Sequence, residues 1–322
     1  MRLRSHIASV LVLASVLSAS SALHSQSKSK LGGEPGATTR LGFGAFGMGM
    51  GNAVTSVRSP YIVGYYNPAL TPYQVDHVGA ASAGFLSLDR NLNFLSYTQP
   101  LKPTAGISVG LLNAGVSDIE GRDRDGRRTE TYSTSENMLI VSFGIRVGEK
   151  LSLGVGPKIY YYSLYTDLSS TTVGFDVGAA YAFSDQIMVG FVVQDINSKY
   201  KWDTSELYGI EGNVREEDFP VRYRLASSYT NSAWGLIGSV EFEMIGKTAL
   251  ARFGAQVDLA EAFAIRAGLD QVSLSDELLP KPSFGFTVKY SLGSWTPALH
   301  YAFILEPYVQ SGMHMISVSG TF

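Results

Sequence analysis

Apolar and polar residues alternate along most of this chain, and that period of two sets the outline of what it can fold into. Over 249–259 one face reads Ala249, Ala251, Phe253, Ala255, Val257 and Leu259, and the other reads Leu250, Arg252, Gly254, Gln256 and Asp258. Residues 263–270 set Phe263, Ile265, Ala267 and Leu269 against Ala264, Arg266, Gly268 and Asp270. Residues 139–147 repeat the pattern, with Ile140, Ser142, Gly144 and Arg146 on the less apolar face. Successive strand side chains point to opposite faces, so these are strands with one apolar side. About fourteen such segments can be drawn, over 78–88, 91–99, 104–114, 136–147, 151–165, 171–183, 187–196, 220–230, 234–245, 249–259, 262–271, 282–292, 296–305 and 311–322.

The apolar face needs something to cover it. In a soluble sandwich a second sheet covers it and the polar face meets water. In a membrane barrel it meets lipid, and the other face lines a lumen. Here the polar positions mix charges with many glycines, which suits a crowded interior. Charged residues make up 16% of the chain against roughly a quarter in soluble domains, so the surface is short of charge. Aromatic residues gather near strand ends, as at Tyr160–Tyr162, Tyr181 with Phe183, Phe284 with Tyr290 and Tyr301 with Phe303. Such clusters resemble interfacial girdles.

The N-terminus argues for export. Arg2 and Arg4 precede an apolar stretch over 7–17, and the small residues Ser18, Ala19, Ser20, Ser21 and Ala22 follow. The stretch is too short to span a bilayer, and the order is that of a signal peptide. Beyond it, no window holds the roughly eighteen consecutive apolar residues of a spanning helix. The chain has no cysteine, which excludes disulfides, thiolate metal sites and a lipidated N-terminal cysteine. A formal net charge of −3 gives no reason to expect nucleic-acid binding.

Loop lengths sharpen the choice. With both ends of the strand series on one rim, every even connection is a short turn: 100–103, 148–150, 184–186, 231–233, 260–261 and 293–295. The long connections, 116–135, 197–219 and 272–281, are all odd. Tight turns on one rim and long loops on the other is the asymmetry of outer-membrane barrels. The expected fold is an all-β, transmembrane antiparallel β-barrel of about fourteen strands with an N-terminal luminal plug. Residues 1–25 are read as signal peptide, 26–77 as plug and 78–322 as barrel. Pro157 cannot donate to a ladder, so it is expected to mark a bulge and a candidate lateral seam for a lipophilic ligand or partner. The last strand ends on Phe322, which resembles the signal read by the barrel assembly machinery.

Between the signal and the first strand lie about fifty residues without strand alternation. They include a glycine-rich run, 41–54, with Gly44, Gly47, Met48, Gly49 and Gly51, and later Asn67, Pro68, Ala69 and Leu70. A free Gly-rich tail would stay unfolded. This one carries Phe43, Phe46, Met48, Met50, Val54, Tyr61, Ile62, Val63, Tyr65 and Tyr66, which need burial, and the lumen is the place available. Gly42, Gly44 and Gly47 match the dinucleotide fingerprint by letter, but no strand precedes them and no βαβ unit surrounds them.

The Gly-x-Gly-Met-Gly stretch, then Asn67-Pro68-Ala69-Leu70, then directly a first strand, resembles the FadL and PorV/PorQ families of outer-membrane proteins. The likeness extends weakly over the whole mature chain. FadL-like proteins are fourteen-stranded barrels with an N-terminal plug that pass hydrophobic compounds, and PorV and PorQ are similar barrels serving type IX secretion and surface attachment of exported proteins. The PorV/PorQ resemblance implies a barrel that assists such secretion or attachment; the alternative is FadL-like transport of hydrophobic small molecules. These families carry an acidic pair between the two plug motifs, where this chain reads Val57-Arg58-Ser59-Pro60.

Alternation directs Arg146, Lys158, Asp176, Arg222, Arg224, Glu241, Glu243, Arg252, Asp258, Arg266, Asp270, Lys289 and His300 into the lumen. Arg222, Arg224, Glu241, Glu243, Arg252 and Arg266 fall on successive strands, where facing opposite charges form a network. The structural reading is a brace for lumen or plug; the functional one is a carboxylate-binding pair of arginines. No catalytic constellation emerges: His24, His77, His300 and His314 have no metal-ligand spacing, and there is no Gly-x-Ser-x-Gly elbow. The acids of 118–128 lack the spacing and closing Glu of a calcium loop. The chain is therefore read as a non-enzyme without cofactor or metal. Its expected partners are outer-membrane lipid, the barrel assembly machinery, and secretion-system proteins or a hydrophobic ligand, in the outer membrane of a Gram-negative bacterium.

Overall fold

Fourteen strands close into one antiparallel barrel. The computed structural model describes residues 31–322 apart from 60, 62, 63, 276, 277 and 310. Residues 1–25, read above as signal peptide, and Ile62 and Val63 of the plug lie outside the described residues. The wall runs through β1 (Val78–Phe85), β2 (Arg90–Leu101), β3 (Ala105–Arg122), β4 (Arg128–Val147), β5 (Leu151–Tyr165), β6 (Leu168–Ala182) and β7 (Ile187–Ile196). It continues through β10 (Arg222–Asn231), β11 (Leu236–Ile245), β12 (Thr248–Ala260), β13 (Phe263–Ser273), β14 (Lys281–Lys289), β15 (Thr296–Ile304) and β16 (Met313–Thr321). Every strand pairs with its sequence neighbours in the wall, β7 with β10 included, and β16 closes on β1 from Val78↔Thr321 to Phe85↔His314. Closure leaves no free wall edge, so every ladder group has a partner strand.

The alternation behaves as the period of two requires. Leu95, Phe143, Val173, Leu225, Phe253 and Val318 stand exposed on the outer face, while their neighbours Ser96, Ser142, Arg224, Arg252 and Ser319 are buried inside. Among the described residues, no helix is long and apolar enough to cross a membrane; this outward belt is the apolar surface instead.

Three features differ from the sequence reading. The connection over 116–135 is mostly strand: β3 and β4 continue past the wall and pair to Arg122↔Arg128, with register shifts near 116–122. The connection over 197–219 holds a separate two-stranded sheet, β8 (Lys199–Asp203) with β9 (Val214–Asp218). Its polar sequence hides the strands because it lies over the barrel mouth rather than in the apolar belt. Third, Pro157 makes no bulge. Pairing with β4 lapses around it, but the register is the same on either side, Ile140↔Lys158 and Phe143↔Val155, and β6 pairs with it directly at Phe175. The proline lacks only the ladder bond it cannot donate. The nearby irregularity is on the next pair, β6–β7, between Phe175 and Val177.

Candidate functional site: the plugged lumen

The plug is a short helix, a reversal and a capped turn. Helix α1 (Gly44–Gly49) lies fully inside the barrel, with Phe46 and Met48 buried. The chain then turns back through Gly51, at φ 61°, where only glycine fits. A Cβ there would stand 2.6 Å from the Leu269 nitrogen and 2.8 Å from the Phe253 carbonyl oxygen of the wall. Tyr66 ties the two arms of the turn. Its hydroxyl accepts from the Phe43 N–H at 2.8 Å and donates to Asn52 Oδ1 at 2.8 Å. Burial holds that hydroxyl well above its ordinary pKa, so it remains a donor.

The Asn-Pro-Ala motif acts as a fixture. Asn67 Oδ1 accepts from the Ala69 N–H at 3.0 Å and caps the 3-10 turn Pro68–Tyr73, with Pro68 at its first position. Asn67 Nδ2 donates to the Thr55 carbonyl at 3.0 Å and to the Ala179 carbonyl of β6 at 3.2 Å. One side chain therefore joins the capped turn, the reversal and the wall. Gly44, Gly47, Met48, Gly49, Gly51, Asn67, Pro68 and Ala69 all belong to this body. Arg58, in the stretch where those families carry an acidic pair, donates to the Asp185 carbonyl at a short turn and lies 5.9 Å from the Tyr73 ring centroid.

One side of the lumen is a charge network. Lys158 Nζ lies 2.7 Å from Asp176 and 2.8 Å from Asp195. Arg222 Nε donates to Asp195 at 2.9 Å, and Arg224 Nε to Glu241 at 2.6 Å. Arg252 contacts Glu241 at 3.2 Å, Asp270 at 2.5 Å, and Glu243. Buried charges need such partners, since an isolated one costs several kcal/mol. The plug enters the same network. Arg224 Nη2 donates to the Asn52 carbonyl at 2.8 Å, Asn52 Nδ2 to Asp270 at 2.8 Å, and the Thr55 N–H to Glu241 at 3.2 Å. Gln194 Nε2 donates to the Tyr65 carbonyl at 2.8 Å.

Arg222, Arg224, Glu241, Glu243 and Arg252 thus come together as the alternation placed them. Arg266 does not join them. Its Nε donates to Gln256 Oε1 at 3.3 Å, its Nη2 to the Thr287 hydroxyl, and its Nη1 has no partner. Arg146, Asp258 and Lys289 sit at the short-turn rim, only partly covered or exposed. His300 is enclosed between the hydroxyls of Thr287, 2.7 Å, and Ser319, 2.8 Å. Asp195 was missed because strict alternation points it outward after Gln194. The register shift between β6 and β7, and a positive φ of 62° at Asp195 itself, turn it inward.

The opposite side is apolar. Phe43 of the plug packs on Phe94 of β2 with ring centroids 4.3 Å apart and on Tyr65 at 5.0 Å. Leu92, Leu112, Met138 and Ile140 complete that surface, all buried. Above it, β8 and β9 roof the mouth. Tyr200 and Trp202 pack on Tyr162, and Phe219 on Tyr160, so these two tyrosines face inward rather than into a girdle. Glu136 accepts from Thr38 of the plug segment and from Tyr200 of the roof. Phe322 closes the other rim, exchanging backbone hydrogen bonds with His77 at 3.0 Å each way.

This architecture can be set beside known proteins. No family model matches the chain, and no curated protein matches it. Solved structures do match. The Pseudomonas putida toluene transporter TodX aligns over 87% of this chain and 96% of its own, with a TM-score of 0.59 and 13% identity. A Pseudomonas aeruginosa FadL homologue aligns over 87% and 98%, with a TM-score of 0.61 and 11% identity. The chain thus has the fold of FadL-type outer-membrane barrels. TodX is described as a toluene transporter and as a monoaromatic hydrocarbon channel.

Proposed function

We propose that the chain is an outer-membrane barrel of a Gram-negative bacterium that carries hydrophobic small molecules inward past its plug. The observation that carries this reading is the plug itself. It is an N-terminal body, continuous with β1 in the chain and otherwise joined to the wall by hydrogen bonds and aromatic contacts. A body held in that way can be displaced within a closed barrel, which a lumen filled by wall side chains alone could not be. The fold shared with a protein described as a toluene transporter supports the hydrophobic cargo. Residues 1–25 would act as the export signal, and Phe322 as the assembly signal.

The test is uptake. Cells lacking the gene should take up aromatic hydrocarbons or long-chain fatty acids more slowly, and the wild-type gene should restore the rate. Unchanged uptake across both classes would sink the reading. No observation favours the PorV/PorQ expectation of a role in type IX secretion or surface attachment over this one. Recovery of secretion or cargo proteins with the barrel from native membranes would reverse that order.

A further inference from the structure

We propose that the β8–β9 roof and the first turn of the plug, Ala37–Arg40, open together, with Glu136 of the wall as the latch they share. This rests on the transport reading for its use, as the device by which the outer mouth frees the plug. The contacts that carry it are independent of any cargo.

The roof stands on the wall without belonging to it. β8 pairs with β9, and these two strands form a sheet apart from the barrel. The two feet of the roof are joined to each other, the Phe219 N–H donating to the Ser198 carbonyl at 2.9 Å. The period of two turns Tyr200 and Trp202 downward, 5% and 7% exposed, and leaves Lys201 and Asp203 in solvent. Along its edge β6 reaches it through side chains. The Ser170 hydroxyl accepts from the Lys201 N–H at 2.8 Å, and the Thr172 hydroxyl donates to the Lys199 carbonyl at 2.5 Å. A ribbon held by side chains instead of a ladder can open locally at a cost well below that of unfolding the barrel.

The start of the plug lies directly beneath. Gly36, at φ 68°, passes so close under the foot of the roof that a Cβ there would stand 2.6 Å from the Phe219 ring. Glu136 of β4 then holds both bodies at once. One of its oxygens accepts from the Thr38 hydroxyl of the plug turn, and the other from the Tyr200 hydroxyl of the roof. A second carboxylate repeats the arrangement less directly. Asp195, where the chain leaves β7 for the roof, lies 3.2 Å from the Thr39 hydroxyl and accepts from Tyr160 at 2.9 Å. Tyr160 is the ring on which Phe219 packs.

Neither body can therefore move far alone. Lifting the roof takes Tyr200 from Glu136 and Phe219 from Gly36, and it lets water reach the carboxylate. Withdrawing Thr38 does the same from the other side. Bonds to a carboxylate are stronger than neutral ones while the site is dry, and much of that strength is lost once water competes for the same oxygens. The second departure thus costs less than the first, which makes the pair cooperative.

Hydrogen exchange in the full-length barrel, held in lipid vesicles without cargo, reads the two bodies separately, so its failure is distinct from failure of the uptake assay. Trp202→Ala acts on the roof, where the ring packs on Tyr162 and Tyr200 and its N–H donates to Glu217 at 3.2 Å. It should speed exchange several-fold in 199–203 and also in 37–41. Thr38→Val acts on the plug turn and should speed both segments as well, because coupling between two parts is reciprocal. Glu136→Ala removes the shared acceptor and should speed both; adding either of the other substitutions should then transmit little to the far segment. The capped turn Pro68–Tyr73, at the other end of the plug, should keep its wild-type rate throughout and verifies that each variant is folded. The coupling is overturned if Trp202→Ala speeds the roof alone, or if Thr38→Val speeds the plug turn alone. It is equally overturned if either effect reaches the far segment at full strength without Glu136, or if the capped turn loosens to the same extent.

Discussion

The two sides of the lumen hold the plug by different physics. On the β2–β5 side, Phe94, Leu112, Met138 and Ile140 meet Phe43 and Tyr65 through ring and methyl contacts that have no required direction. On the β10–β13 side, Arg224, Glu241 and Asp270 meet Asn52 and Thr55 through bonds that have one donor and one acceptor each. The apolar side excludes water and fixes shape. The charged side fixes height and rotation, because a shift of a few ångströms breaks the directed bonds from Arg224, Asp270 and Glu241 to Asn52 and Thr55. An apolar molecule can replace a methyl contact but cannot replace a directed hydrogen bond. The plug is thus packed on one side and oriented on the other.

The largest expected effect comes from unbalancing the oriented side. Arg252 contacts Glu241, Glu243 and Asp270, so Arg252→Ala leaves three buried carboxylates short of positive charge. The cost should be about 3–5 kcal/mol, as for breaking other buried pairs. Urea unfolding of the barrel in lipid vesicles would show it as a lower midpoint. A midpoint unmoved from wild type would mean that the network is not what orients the plug.

A smaller effect should follow from Tyr66→Phe, which acts inside the plug. It removes a hydroxyl and leaves the Phe43 N–H and Asn52 Oδ1 without that partner. The expected loss is about 1–3 kcal/mol. Because Asn52 also bonds to Asp270 and accepts from Arg224, the plug should loosen before the wall does. Proteolysis within residues 41–66 of the folded barrel would then speed up. Equal protection in both proteins would show that the two arms of the turn hold without Tyr66.

Much of this comparison could be read from the residue pattern, and the reasons are physical. A period of two is a direct consequence of strand geometry, so Arg222, Arg224, Glu241, Glu243 and Arg252 could be assigned to one interior face from spacing alone. The short turns at 148–150 and 184–186 announced one rim for the same reason. Asp195 escaped because a single register shift reverses the face of everything near it. Arg266 was assigned to the network because alternation gives the face a side chain points to and says nothing about whether a carboxylate reaches it. Pro157 misled in the other direction: a missing donor interrupts a ladder without forcing an extra residue into the strand. The roles of Asn67 and Tyr66 depend on contacts between distant segments, such as Asn67 with Ala179, for which local sequence carries no signal.

The smallest expected effect lies on the packed side, and it sharpens the contrast most. Ile140 is 1% exposed within the cluster that receives Phe43. Ile140→Val deletes one methyl group and should cost about 1 kcal/mol, the transfer and cavity terms of one buried carbon. Salt screens exposed charges and leaves both apolar burial and fully buried pairs almost untouched. Paired measurements at low and high salt should give Ile140→Val the same loss twice. The double-mutant cycle of Arg224→Ala with Glu241→Ala should give a coupling of about 0.5–3 kcal/mol. The cycle of Phe43→Leu with Phe94→Leu should give about 0.5–1.5 kcal/mol, the range of an aromatic pair. If the aromatic coupling were the larger, or if Ile140→Val changed with salt, the division of labour between the two sides would not stand. With the order as expected, the charged side sets the plug's orientation and the apolar side packs it.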